Sequence, residues 1–185
     1  MSLVKKPICV SDLGAVDTSS VKKLLSQFSV RFWAAQDEIK ENNFACFHHT
    51  QHIIMRFIHQ NQDHRDFYHT PVWLYFESIL RPLFDEIVKP YNFLQPEYPK
   101  AMFARLSAGH EIDRHIDGAG SNLHTHKIHI PIQTNKEALF SVGKNWLHLQ
   151  ENRAYEVNNI RPHAARNGGD EDRIHLIFEV FDAAL

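Results

Sequence analysis

Three residues in the C-terminal half of the chain have the types and spacing of a mononuclear metal site. His115 and Asp117 form an HxD pair, and His163 follows later in the chain. Residues i and i+2 of an extended strand point to the same side, so His115 and Asp117 can reach one metal ion together. Two neutral imidazoles and one carboxylate occupy one face of an octahedral Fe(II) and leave three positions open, as in non-haem iron oxygenases. The pattern therefore predicts an iron site.

Each of these residues also has an ordinary structural explanation. The chain holds 14 histidines, so an HxD tripeptide can arise by chance. Asp117 before Gly118 is a common way to begin a turn, and His163 after Pro162 is compatible with a loop. The metal hypothesis therefore depends on all three side chains meeting. Coordinates that place them apart would favour a non-catalytic module that binds a ligand or a protein.

Length and composition favour one domain without a nucleic-acid or membrane partner. The 185 residues suffice for a single core but hardly for two. The formal net charge is −2, no basic run marks a nucleic-acid surface, and no apolar run approaches a membrane span. Two cysteines, Cys9 and Cys46, and an N-terminus without a secretory apolar centre predict a reducing, cytoplasmic location. The sequence does not determine the oligomeric state.

Apolar periodicity predicts helices in the first half of the chain. Ser19 or Ser20 can cap a short helix. Thr70-Pro71 begins the clearest helix, Pro82 is expected to kink or split it, and Lys89-Pro90 ends it. This helix is expected to pack against the outside of a sheet. The remaining N-terminal segments are predicted as an irregular lead-in over residues 1–18, a strand rather than a short helix over residues 52–58, and a loop over residues 60–66.

From Pro99 onward the pattern changes to short strands separated by turns. Residues 127–132 alternate isoleucine with Lys127 and His129, and residues 173–181 alternate Arg173 and His175 with apolar side chains. A hairpin is expected around Gly143-Lys144. Such strands, preceded by helices, predict a mainly β fold: a double-sheet jelly roll with helical packing on one face. We expect a single domain, with a helical and strand part over residues 1–98 and a jelly-roll core over residues 99–185 that carries the site.

The same region resembles the aspartyl/asparaginyl β-hydroxylase family of Fe(II)- and 2-oxoglutarate-dependent dioxygenases, which includes bacterial free-proline hydroxylases. The resemblance covers residues 101–181 and is strongest over residues 127–135, 155–159 and 173–178. The family fold is a double-stranded β-helix, a cupin-like jelly roll, in agreement with the strand pattern. The cofactors that the resemblance implies are Fe(II), the cosubstrate 2-oxoglutarate and O2.

The resemblance also implies roles for individual residues. The iron ligands would be His115, Asp117 and His163. Arg173 would pair with the distal carboxylate of 2-oxoglutarate, because a planar guanidinium binds a carboxylate through two hydrogen bonds. Lys127 stands where relatives often carry arginine. Lysine keeps the positive charge but lacks the planar guanidinium that binds a carboxylate through two hydrogen bonds. The residues expected to help hold the cosubstrate are Ser107, Lys127 and His129.

The implied reaction is hydroxylation of an unactivated C–H bond of an amino acid or peptide side chain. Some animal members lack the carboxylate ligand, so Asp117 places the chain nearer the bacterial branch and favours a small-molecule substrate. A cupin-type metalloenzyme that does not use 2-oxoglutarate is an alternative, and it would not need Arg173. A non-catalytic ligand-binding jelly roll is another. Further candidates for substrate contacts are Arg31, Trp33, Trp146 and Arg161.

Overall fold

Two antiparallel sheets enclose the interior of the protein. The computed structural model describes residues 3–118 and 120–185. The larger sheet has seven strands in the order β1-β9-β6-β11-β4-β2-β3, and the smaller has four in the order β5-β10-β7-β8. The strands of the larger sheet are β1 Val10–Ala15, β2 Thr50–Ile58, β3 Phe67–His69, β4 Pro96–Leu106, β6 His126–Gln133, β9 Arg153–Val157 and β11 Arg173–Asp182. Those of the smaller sheet are β5 Glu111–His115, β7 Ala138–Val142, β8 Asn145–Leu147 and β10 His163–Asn167. The predicted jelly-roll fold is confirmed.

Three α-helices cover the outer face of the larger sheet: α1 Ser19–Leu25, α2 Val30–Glu38 and α3 Trp73–Val88. Their apolar side chains share one buried cluster with outward-facing residues of β4, β6 and β11. In this cluster the ring of Phe84 stacks on Phe178 with centroids 4.0 Å apart, and Phe76 lies 5.1 Å from Phe103. The prediction that the helix after Thr70-Pro71 packs outside a sheet is therefore confirmed.

Alternation along β6 and β11 separates the core from the interior cavity. Ile128, Ile130 and Ile132 lie in the buried cluster under the helices. Lys127 and His129 lie on the opposite face and line the cavity. In β11, Arg173 likewise faces the cavity, whereas Leu176 and Phe178 enter the core. Both predicted strand faces are confirmed, as is the hairpin through Gly143-Lys144, which joins β7 to β8.

Several local predictions were wrong. The segment predicted as an irregular lead-in contains β1, which pairs with β9 at the sheet edge. Helix α2 was not predicted; Ser29 caps it, accepting a hydrogen bond from the backbone N–H of Phe32 at 3.1 Å. Pro82 was predicted to kink or split the helix; it does not split α3, which continues through it. The segment predicted as a loop over residues 60–66 begins within a 3-10 helix, His59–Asn61, and continues as turn and irregular backbone, and the strand β3 follows at once.

Within the part of the chain that the structure describes, no helix combines the length and apolar character needed to cross a membrane.

Candidate metal centre and its cavity

Two neighbouring strands of the smaller sheet bring the two predicted histidine ligands together. Strands β5 and β10 are antiparallel, and His163 lies directly opposite His115 in their register. Their ring centroids are 4.2 Å apart. Strand β5 ends at His115, so Asp117 lies just beyond it, and the prediction that both residues share one strand was wrong. Asp117 nonetheless reaches the pair, because its backbone N–H donates to the carbonyl of Asn159 at 3.1 Å.

The three side chains converge on one point. Asp117 Oδ1 lies 3.5 Å from Nε2 of His115 and 3.5 Å from Nε2 of His163. One ligand atom from each of the three residues lies within 4.8 Å of the others. These distances leave room for one ion between the two imidazole nitrogens and a single carboxylate oxygen. The predicted triad is therefore assembled.

Backbone hydrogen bonds fix the tautomers that a metal requires. His115 Nδ1 lies 2.7 Å from the carbonyl of Asp113, and His163 Nδ1 lies 2.9 Å from the carbonyl of Arg161. A carbonyl oxygen only accepts, so each Nδ1 carries the proton. Each Nε2 then presents a lone pair toward Asp117. Such orientation by the second ring nitrogen is typical of metal-binding histidines.

The other oxygen of Asp117 is held by two buried donors. The Nζ atom of Lys127 forms a close ion pair with Oδ2, and Nδ2 of Asn159 donates to the same oxygen at 3.1 Å. Asn122 Nδ2 donates to the backbone carbonyl of Asp117 at 2.9 Å. The carboxylate is thereby fixed with Oδ1 facing the imidazoles and Oδ2 facing away. This arrangement fits a carboxylate that binds metal through one oxygen.

The charge state of Asp117 follows from these partners. Burial alone would raise its pKa, but Lys127 and the two histidines outweigh it and hold the pKa well below the usual range. The pKa of Lys127 is raised: burial would lower it, and the carboxylates of Asp117 and Glu179 reverse that effect. Both groups are therefore ionised at neutral pH. An ionised carboxylate is the form that binds a metal cation.

A cavity of about 230 Å³ opens beside the triad, between the two sheets. Its wall includes all three candidate ligands and the predicted cosubstrate residues Lys127, His129 and Arg173. Phe47 packs edge-on against the ring of His115 with centroids 5.4 Å apart, and Phe140 lies 5.4 Å from His129. The triad therefore faces a cavity with aromatic side chains in its wall.

Arg173 is a buried cation that ends in this cavity. It is 3% exposed, and among the described residues no carboxylate pairs with it. Its Nη2 donates to His175 Nδ1 at 2.9 Å, and burial lowers its pKa to about 9. Burial, with Arg173 as the nearest charge, also keeps the pKa of His175 well below its usual range, so this imidazole is neutral. Arg173 thus remains charged at neutral pH, oriented by a neutral acceptor and open to an anionic ligand.

The structure places the remaining predicted site residues unequally. His129 lies on the cavity wall, and burial, then Lys127 and Arg173, lower its pKa well below the ordinary value. Lys127 lines the cavity too, but its ion pair is with a metal-ligand candidate. Ser107 is not among the residues that line the cavity, and its carbonyl accepts from Asn167 instead. The four further candidates for substrate contacts also lie outside the wall: Arg31, Trp33, Trp146 and Arg161.

Sequence reasoning missed several residues that shape the site. Asn159, which touches Asp117, lies within a stretch of family resemblance, but its side chain carried no signal of its own. His175 alternates with Arg173 on the inward face of β11, so its position was readable although its contact with the guanidinium was not. Lys100 lies on the cavity wall at a position where the strand pattern predicted no site residue.

The donor set fits a divalent transition metal. Two imidazole nitrogens with free lone pairs and one ionised carboxylate oxygen form a two-histidine, one-carboxylate face of the kind that non-haem Fe(II) occupies. The other side of this face is the cavity, which can admit further ligands. Hydrogen bonds also hold the candidate ligands in place: both imidazoles donate to backbone carbonyls, and the second oxygen of Asp117 accepts from Asn159.

Comparison with known proteins is consistent with this geometry. The family model described as Aspartyl/Asparaginyl beta-hydroxylase matches residues 79–183, which is more than half of the chain. The match begins within α3 and includes all three members of the triad and Arg173. No curated protein matches the chain significantly.

Solved structures share the fold at low sequence identity. A 2OG-Fe(II) oxygenase family oxidoreductase from Burkholderia pseudomallei has a TM-score of 0.61 and 13% identity, covering 95% of this chain and 85% of that one. A prolyl hydroxylase from Trichoplax adhaerens, in complex with a hypoxia inducible factor peptide fragment, has a TM-score of 0.60 and 12% identity, covering 95% and 84%. The collagen prolyl hydroxylase of Paramecium Bursaria Chlorella virus-1 has a TM-score of 0.58 and 8% identity, covering 94% and 98%.

Proposed function

The chain belongs to the aspartyl/asparaginyl β-hydroxylase family, and we propose that it hydroxylates an unactivated C–H bond of an amino acid or peptide side chain. Membership in this family makes it an Fe(II)- and 2-oxoglutarate-dependent dioxygenase. The observation that carries the proposal is that one cavity contains both the assembled triad and a buried guanidinium, that of Arg173, which lacks a carboxylate partner among the described residues.

The triad would hold the metal, and three sites in the coordination sphere would stay open toward the cavity. Bound Fe(II), 2-oxoglutarate and O2 together supply the oxidising chemistry for C–H hydroxylation. His115 and His163 would bind the metal through Nε2, because the backbone carbonyls hold the proton on each Nδ1. Asp117 contributes one oxygen, while Lys127 and Asn159 retain the other.

Arg173 would bind the distal carboxylate of the cosubstrate. A buried guanidinium without a counterion is costly, and a carboxylate that accepts two of its N–H groups removes that cost. His175 holds the guanidinium in place by accepting a third N–H. Lys127 and His129 remain candidates for cosubstrate contacts, since both line the cavity and Lys127 has N–H donors beyond the one given to Asp117.

The cavity walls would exclude water from the reacting groups. Phe47 and Phe140 flank the two sides of the triad, each against a histidine ring. Apolar walls strengthen the electrostatic contacts inside and suppress side reactions. A cupin-type metalloenzyme without 2-oxoglutarate would have no use for Arg173, and this residue therefore favours the dioxygenase over that alternative.

The test is calorimetric binding of 2-oxoglutarate to Fe(II)-loaded protein without oxygen. Removing the fork in Arg173→Leu forfeits two charge-assisted hydrogen bonds, so affinity should fall about 100-fold or more. Arg173→Lys keeps the charge and should lose less, about tenfold. The matched control is Arg31→Leu, because Arg31 is exposed and lies outside the cavity. Unchanged affinity in Arg173→Leu would refute the role of this residue, and no binding by the unaltered protein would refute 2-oxoglutarate as cosubstrate.

A further inference from the structure

The part of the cavity away from Arg173 has a composition of its own, and we call it the substrate lobe. It is formed by β2, β4, the central part of β11 and the short 3-10 helix Ala45–Phe47 before β2. Arg173 lies at the start of β11, and Lys127 and His129 lie on β6, so the lobe beside β2 and β4 is the space left for a substrate. Its members are Phe44, Phe47, Phe57, Lys100, Met102 and Ile177. These members are apolar except for one cation, Lys100, and the amides of Asn42 and Asn61 also line the cavity.

Lys100 is held at the wall of this lobe by one ion pair. Its Nζ lies 3.3 Å from Oε1 of Glu179, and the two side chains are 8% and 1% exposed. It also lies over the ring of Phe57, 5.4 Å from the centroid. Thr125 donates to the second oxygen of Glu179 at 2.8 Å. An ammonium has three N–H groups, so Lys100 keeps donors for a ligand.

The buried charges around the cavity are unequal in number. The cations on the cavity wall are Lys100, Lys127 and Arg173, and the carboxylates that pair with them are Asp117 and Glu179. The side chains therefore carry a net charge of one positive unit. A bound divalent metal would add two positive charges, and bound 2-oxoglutarate would add two negative charges. One positive charge then remains beside the cavity. Since an unbalanced buried charge is costly, a ligand with one negative charge would be favoured.

The same wall offers no counterion to a cationic ligand. Among the described lining residues Asp117 is the one carboxylate, and its two oxygens are committed to the metal face and to Lys127. Asn42 and Asn61 add neutral amides whose buried Oδ1 atoms have no partner in the described structure. Such oxygens suit the N–H of an acylated nitrogen, whereas a free ammonium needs a compensating charge.

We propose that the substrate is a monocarboxylate with an apolar body and no free ammonium group, and that Lys100 binds its carboxylate. This inference rests on the proposed function. In terms of amino acids, this is an N-acylated apolar residue rather than a free amino acid. The cavity, at about 230 Å³ including the cosubstrate space, lies below the ~300–1,000 Å³ of drug-sized ligand pockets. It therefore admits one small molecule or one terminal residue.

The test compares matched probes that differ in one group. N-acetyl-L-leucine, its primary amide and free L-leucine are titrated by calorimetry into protein loaded with Fe(II) and 2-oxoglutarate without oxygen, and the series is repeated with phenylalanine and valine, whose N-acetyl derivatives also keep the N–H. In at least one series the N-acetyl acid should bind tenfold or more tightly than both its amide and the free amino acid. If in every series the amide or the free amino acid binds as tightly as the N-acetyl acid, the inference is overturned.

Variants then assign the preference to Lys100. Lys100→Met should reduce the preference for acid over amide to less than threefold, and Lys100→Arg should retain it. If Lys100→Met does not fold, the pair Lys100→Met with Glu179→Gln removes both charges together and leaves neither unpaired. The matched control is Lys144→Met, because Lys144 is exposed in the β7–β8 turn. A preference that survives removal of Lys100 would overturn the assignment. A titration of 2-oxoglutarate into the Fe(II)-loaded protein is made first. If 2-oxoglutarate does not bind, the proposed function fails; if it binds and the N-acetyl acid is not preferred, only the present inference fails.

Discussion

Asn159 is expected to control metal affinity although it is not a metal ligand. Its side chain is fully buried, donates to Asp117 Oδ2 at 3.1 Å and to Asn122 Oδ1 at 3.0 Å, and accepts from Lys6 Nζ at 2.8 Å. Its backbone carbonyl also accepts the N–H of Asp117. The amide thus joins the metal-binding loop to the N-terminal segment, and Asn159→Ala removes every side-chain contact while keeping the backbone bond.

The magnitude follows from the lost contact with a charged oxygen. One hydrogen bond to an ionised group contributes about 1.5–3 kcal/mol, and part of that free energy fixes the carboxylate for the metal. Loss of such a partner typically lowers metal affinity about 10–100-fold, which corresponds to about 1.4–2.7 kcal/mol. We therefore expect the dissociation constant for Co(II), a stable substitute for Fe(II), to rise by that factor in Asn159→Ala.

Calorimetric titration of metal-free protein with Co(II) measures the effect directly. Asn158→Ala is the matched control: it removes the neighbouring buried amide, which donates to the carbonyl of Pro7 at 2.7 Å and does not touch Asp117. If Asn159→Ala bound Co(II) as tightly as the unaltered protein, orientation of Asp117 would not depend on this residue. An equal loss in Asn158→Ala would show that the effect comes from general disturbance of the loop.

Two further predictions concern stability. Burial lowers the pKa of Lys6 from 10.5 to about 8, so the unfolded chain binds a proton that the folded chain releases between these values. The free energy of unfolding of the unaltered protein should therefore rise by about 2–3 kcal/mol between pH 7 and pH 10, relative to that of Lys6→Met. Urea unfolding at each pH measures this difference. If the two proteins showed the same pH dependence, the prediction would be contradicted. Phe84→Ala should lower the free energy of unfolding by about 3–5 kcal/mol, because the ring of Phe84 is fully buried and stacks on Phe178. Phe44 is 56% exposed, so Phe44→Ala should lower it by about 1 kcal/mol or less. Equal losses in the two variants would argue against the core assignment of Phe84.

The strands nearest the site were readable because both of their faces are specified by sequence. In β6 three isoleucines face the helices while Lys127 and His129 face the cavity. A shift by one residue would move every isoleucine into the cavity and both polar residues into the core, so the register is strongly determined. The same alternation in β11 assigned Arg173 to the interior before any contact was known.

Other elements could not be read because their stability comes from partners distant in sequence. Strand β1 is an edge strand with partly exposed residues on both faces, and it forms because β9 pairs with it. Helix α2 buries Trp33 alone among its residues, so its apolar periodicity is weak. Asp117 lies in a turn after β5 and not within the strand. Its convergence with His163 depends on the hydrogen bond to Asn159, which strand periodicity does not encode.

Lysine at position 127, in place of arginine, changes which cation is available to bind a cosubstrate carboxylate. An arginine could give one edge of its fork to Asp117 and another to a cosubstrate carboxylate, whereas an ammonium is a compact point charge. Here that charge lies against Asp117, directly across from Glu179 in the register of β6 and β11. Lys127 is thus largely committed to the chain's own carboxylates. In the proposed function, the bidentate contact with the cosubstrate would therefore fall to Arg173. In the described structure, the side-chain partner of this guanidinium is a neutral imidazole, that of His175, and not a carboxylate.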